Sequence, residues 1–222
     1  MSAMSDRWAR FAPLTGVAFA VLTVVGILAS GGETPEGSAS PAKVIAYYAA
    51  HRSEIETSAI LLALAFLFVV LFAASLRSYL RRTPAAEGLS ALVLAGGVLM
   101  AAGALSTSGV EYGLAHNIHV LALSPQTAQA TNLVSQELFL PILAGAFIFA
   151  VAGGLAILRG AQLPRWLGFA AIVLGIAALI PPASFPALIG FVIWSVVVSI
   201  LIYVRIGRLG SGQPEPSPLG TA

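Results

Sequence analysis

Residues 88–110 read GLSALVLAGGVLMAAGALSTSGV, 23 residues without a charge between Glu87 and Glu111. Folded as an α-helix at about 1.5 Å per residue, such a run crosses a hydrocarbon core of roughly 30 Å with its backbone groups bonded internally. The same measure applies along the chain. Phe11–Gly32 is 22 uncharged residues, Thr57–Leu76 is 20 and Leu138–Leu158 is 21. The last run, Trp166–Val204, has 39 residues, too many for one crossing. Pro181-Pro182 and Pro186 divide it, because proline lacks a backbone donor and clashes with the preceding turn. A hairpin of two short helices, about 165–181 and 185–205, is therefore expected.

Composition leads the same way. The 222 residues are 58% hydrophobic and 9% charged, against about 25% charged in an ordinary soluble domain. Mean hydropathy is +0.93. A chain of this length cannot hide that much apolar surface from water, so the lipid bilayer is its expected partner. The net charge of +2 comes from basic residues grouped at the ends of apolar runs. That pattern reports topology and offers no basic stripe for nucleic acid. Cysteine is absent, which excludes disulfides, thiolate catalysis and iron–sulfur clusters. The run after Arg10 is longer than a signal-peptide core, and Leu28-Ala29-Ser30 is a poor cleavage site, so it reads as a retained first helix.

The expected fold is all-α: a polytopic membrane helix bundle with six transmembrane helices, about 11–31, 54–80, 88–111, 134–158, 165–181 and 185–205, and short outer-face helices. Residues 210–222, rich in Gly, Pro and Ser, are expected to be a disordered cytoplasmic tail. With six crossings, nine basic residues (Arg7, Arg10, Arg77, Arg81, Arg82, Arg159, Arg165, Arg205 and Arg208) fall on one side. Only Lys43 and Arg52 fall on the other. The positive-inside rule then puts both termini in the cytoplasm. Trp8, Tyr79, Trp166 and Tyr203 mark the inner boundary, and Tyr47, Tyr48 and Tyr112 the outer one.

Residues 112–136 are also uncharged and long enough to span. They carry two His, two Asn and three Gln, each needing partners at several kcal/mol inside lipid, so the segment is placed outside. Ser40-Pro41 reads as the N-cap and first residue of a short helix reaching Arg52. Val44, Ile45, Tyr48 and Ala49 share one face of it, suited to lying on the membrane or the bundle. Ser124-Pro125 repeats the start signal. Arg7-Trp8…Phe11-Ala12 recurs as Arg165-Trp166…Phe169-Ala170, which suggests three parallel outward hairpins.

The stretches RWARFAPLTGVAF (7–19), SPAKVIAYYAAHR (40–52) and LPRWLGF (163–169) resemble the uncharacterised multi-pass membrane proteins common in high-GC bacteria. The similarity covers most of the chain. It implies a multi-pass protein of the bacterial plasma membrane and supplies no activity to carry over.

No ionisable residue falls near a helix centre, which argues against a proton pump or proton-coupled carrier. Intramembrane hydroxyls such as Thr15, Thr23, Ser58, Ser75, Ser195 and Ser199 ordinarily bond to their own helix or a neighbour. Trp194 lies 11 residues from Arg205, about 16 Å in, and reads as a packed aromatic or a pocket wall. The outer rim gathers the other candidate ligand-binding residues: Glu111, Glu137, His51, His116 and His119. Pro141 frees the carbonyl of Glu137, so one point could offer a carboxylate and an open carbonyl. His116, His119 and Glu137 are candidate metal ligands by donor type, although their spacing matches no zinc motif and a solvated outer rim is the preferred explanation. No cofactor is expected. There is no nucleophile elbow, phosphate loop or dinucleotide fingerprint. Ala95, Ala102 and Gly109, spaced by seven, form a small-residue seam for close helix packing or for a second copy of the chain. The expected function is a non-enzymatic scaffold, accessory or partner-binding bundle, with another membrane protein or a second copy as partner. Next comes binding or transport of a small molecule, lipid or ion at the outer Glu/His cluster, and last a metal-dependent membrane enzyme.

Overall fold

The computed structural model describes residues 11–118, 123–160 and 162–210, with side chains as far as 206. Of the expected tail, 210–222, Gly210 closes the last helix, and 211–222, the Arg7–Arg10 segment and His119 lie outside the described residues.

All regular structure among the described residues is helical. A 3-10 turn (Ala12–Leu14) leads into α1 (Thr15–Leu28), followed by α2 (Pro41–Ala50) and α3 (Arg52–Leu80). A second 3-10 turn (Pro84–Ala86) precedes α4 (Glu87–Asn117). Then come α5 (Pro125–Glu137), α6 (Phe139–Leu158), α7 (Arg165–Ala178) and α8 (Pro181–Gly210). Four helical stretches are long and apolar enough to cross a membrane: 52–80, 84–117, 125–158 and 181–206. Ala12–Leu28 and Arg165–Ala178 are apolar but shorter.

The six apolar helices form a ring in chain order, α1–α3–α4–α6–α7–α8, and α8 returns to α1. Glycines bring α4 and α6 into close contact within it. A Cβ on Gly96 of α4 would stand 2.5 Å from the Phe149 nitrogen, and one on Gly145 of α6 would stand 2.5 Å from the Met100 nitrogen. Only glycine lets these backbones touch. Ala95, Ala102 and Gly109, the seam expected from spacing, face outward one residue away from the true packing line. Beneath the middle of the ring, Phe72, Phe149, Phe191 and Trp194 pack together, their rings 5.2–6.2 Å apart in successive contacts.

The other end carries a cap. Helix α2 lies across α5, and its buried Val44 and Tyr48 pack with Ile55, Leu114, Ala115 and Ala128. Both short helices start as the sequence suggests. Ser40 accepts from the Lys43 N–H at 3.4 Å, and Ser124 accepts from the Thr127 N–H at 3.2 Å. Gly31 and Gly32, at φ 72° and 125°, turn the chain out of α1 toward the cap.

Several boundaries differ from the expectation, and α1 and α7 close three residues early, at Leu28 and Ala178. Helix α8 begins at Pro181, since the first turn needs no N–H partners, and Pro186 sits within it. The carbonyl that Pro186 leaves open, that of Pro182, is at an exposed end. Helix α4 runs on to Asn117, six residues beyond Glu111, and ends with His116 in its last turn, where the helix dipole favours a cation. The chain breaks at Leu138 between α5 and α6, because the Pro141 ring cannot coexist with a continuous ladder through Glu137.

Candidate functional site

Below the cap, the middle of the ring is open. A cavity of about 380 Å³ lies between α1, α3, α4, α6 and α8, within the roughly 300–1,000 Å³ range of small-molecule sites. The stripe Met100, Ala104, Thr107, Ser108 and Glu111 forms one wall, since these residues fall on one face of α4. Phe19 and Thr23 come from α1, Ser58 and Phe66 from α3, and Leu188, Phe191 and Val192 from α8. The floor is therefore apolar and the roof polar. Along the flank, Ile27, Phe185 and Ile189 are 46%, 59% and 47% exposed, so the cavity opens sideways between α1 and α8.

The roof carries the chemistry. Glu111 is the one charged side chain among the described lining residues, and no described group hydrogen-bonds or ion-pairs with its carboxylate. It is half-buried. A smaller recess of about 20 Å³ joins it to Ser30, Thr34, Tyr47 and Tyr48 under the cap. Burial, then the negative charge of Glu111, then Tyr47 push the phenol of Tyr48 well above its ordinary value of 10.0. Deeper down, Thr23 is 8% exposed, and its hydroxyl has no partner among the described residues. Buried polar atoms are rarely left so. Ser58 differs, donating to the Gly26 carbonyl at 2.8 Å and pinning α3 to α1.

The expected rim residues separate. Glu111 lines the cavity, whereas Glu137 is exposed at the end of α5 and is not among its lining residues. His116 Nδ1 stands 3.1 Å from Glu56 Oε1 and 3.2 Å from Arg52 Nη2. Unprotonated, that nitrogen accepts from the guanidinium; protonated, it donates to the carboxylate. Arg52 also donates to Glu56 at 2.9 Å, so these three form a surface cluster of their own. His51 Nδ1 lies 3.0 Å from the Tyr47 carbonyl, its ring 4.7 Å from that of Tyr47. Trp194 is buried and donates to the Leu167 carbonyl at 3.0 Å, tying α8 to α7, and it is not among the residues lining the cavity. Among the described residues no three His, Asp or Glu side chains are grouped to hold a metal, and His119 lies outside them.

Several residues that matter were not singled out from sequence. Asn132, fully buried, accepts from the Tyr48 hydroxyl at 3.2 Å and donates to the Pro35 carbonyl at 3.1 Å. Gln136 donates to the same carbonyl at 2.6 Å, and Gln129 to that of Ala39 at 2.8 Å. These amides sew residues 35–39 to α5, and Asn132 anchors Tyr48, which lines the recess beside Glu111. Ser30, Thr34 and Thr107 likewise carry no local signal of their place in the lining. The usable signal was the α4 face, which turns from Met100 and Ala104 to Ser108 and Glu111.

Comparisons with known protein families, with curated proteins and with solved structures each found no match.

Proposed function

We propose that this chain is a six-span protein of the bacterial plasma membrane, with both termini in the cytoplasm, and that it binds a small amphipathic molecule taken sideways from the bilayer. Six spans are supported by the ring itself. Ala12–Leu28, at 17 residues, and α7, at 14, close it with the four long helices. They cover about 25 Å and 21 Å, lengths a bilayer accommodates by local thinning. The orientation is supported by arginine. Among the described residues Arg77, Arg81, Arg82, Arg159, Arg165 and Arg205 gather at one end, and Lys43 and Arg52 at the capped end.

The observation that carries the binding reading is the cavity: an apolar shaft under a polar roof, open at its flank where Phe185 and Ile189 face outward. An acyl or alkyl chain suits the shaft, and a polar head suits the roof. A scaffold role gives no reason for the shaft or for a carboxylate without a partner at its top.

The test is to extract the protein in a neutral detergent and weigh it intact by native mass spectrometry. Wild type should retain one organic molecule per chain. Ala104→Phe, which fills the shaft, and Ile189→Trp, at its mouth, should each retain far less while keeping a cooperative thermal transition. Retention of nothing by wild type, or equal retention by both variants, would refute the proposal.

A further inference from the structure

Resting on that reading, we infer that the head group recognised at the roof is a protonated amine with no phosphate attached, and that Glu111 is its partner. The cavity's lining holds one carboxylate and no Lys or Arg among the described residues. A carboxylate withdrawn from water is costly unless a cation meets it. Each described basic residue near the cap lies outside the lining, and Arg52 is held at 2.9 Å by Glu56. A cationic ligand would therefore be the source of positive charge beside Glu111.

The surrounding oxygens fit a primary ammonium, which has three protons to donate. Ser30 and Thr34 line the roof beside Glu111. Ser30 spends its own proton on the Ile27 carbonyl at 2.8 Å, leaving its oxygen free to accept. One carboxylate and two hydroxyl oxygens thus surround the place of the head. Seven residues before Ser30, about 10 Å down the helix, Thr23 offers a hydroxyl for a second polar atom on the ligand. A phosphate does not fit. It would face Glu111 with no lining cation to hold it, so a zwitterionic phospholipid headgroup is rejected by like-charge repulsion.

The experiment uses full-length protein in neutral detergent at pH 7, titrated with dodecylamine, dodecanol and dioctanoyl phosphatidylethanolamine, each read by native mass spectrometry. Dodecylamine should bind wild type roughly ten- to a hundredfold more tightly than dodecanol, the worth of a charge-assisted bond. Glu111→Gln, near-isosteric, should remove that preference, so that dodecylamine and dodecanol bind the variant alike. Phosphatidylethanolamine should bind no better than dodecanol. Equal binding of amine and alcohol, or an amine preference that survives Glu111→Gln, overturns the inference while the cavity reading stands. Phosphatidylethanolamine binding as tightly as dodecylamine overturns the exclusion of phosphate. Failure of all three to bind wild type overturns the cavity reading itself.

Discussion

Replacing Asn132 by Leu should loosen the cap while sparing the bundle. The substitution keeps the side-chain volume roughly constant and deletes two hydrogen bonds, from the Tyr48 hydroxyl at 3.2 Å and to the Pro35 carbonyl at 3.1 Å. The Pro35 carbonyl keeps Gln136 at 2.6 Å, so that loss is a single ordinary bond of about 0.5–1.5 kcal/mol. Tyr48 fares worse, since its buried hydroxyl loses its acceptor, at about 1–3 kcal/mol. Ser135, whose hydroxyl donates to the Asn132 carbonyl, stands near the phenol and offers a partial substitute. Together these give about 1.5–4 kcal/mol of local opening free energy. Amide hydrogen exchange along α2 and α5 should then speed up roughly ten- to several-hundredfold, with the α4–α6 core unchanged. A second substitution, Tyr48→Phe, removes the orphaned hydroxyl and should restore part of that protection. Unchanged exchange in Asn132→Leu would refute the latch. So would a double variant whose losses simply add, because coupled partners do not behave independently.

Other outcomes follow from the same contacts. Gly96→Leu drives a side chain into the Phe149 backbone and should abolish a cooperative thermal transition, whereas Gly109→Ala, with open space around it, should raise stability by up to about 1 kcal/mol in melting experiments. Raising the pH should weaken the cap. Below the ordinary phenol value of 10.0 both folded and unfolded Tyr48 are protonated, and full stability is present. Above it the unfolded chain ionises first, so stability falls as pH climbs, and Tyr48→Phe should flatten that fall in near-ultraviolet circular dichroism. His116→Ala, in the exposed cluster with Glu56 and Arg52, should leave the melting temperature unchanged.

The apolar helices were legible because each apolar run carries its own length, and the starts of the two short helices because Ser-Pro is a local start signal, whereas the closed ring was not. What the local signals could not supply was facing. Glu111 and Glu137 stand at similar distances from the arginines, yet α4 continues unbroken past Glu111 and turns it inward, while the break at Leu138 leaves Glu137 outside. Gly96 and Gly103 have the same spacing of seven as Ala95 and Ala102, and a shift of one residue, about 100° around the helix, decides which pair packs. The choice is made by Gly145 on another helix. Asn132 and Gln129 find their partners 84 to 97 residues away, and nothing in the neighbouring letters announces it.

A cryo-electron density map of protein purified gently from its own membrane goes to the heart of the matter. The expected result is an elongated feature running from the Glu111 carboxylate past Thr23 to Phe191, with its tail between Phe185 and Ile189. A shaft closed by inward-turned side chains, or holding nothing longer than isolated waters, would contradict it.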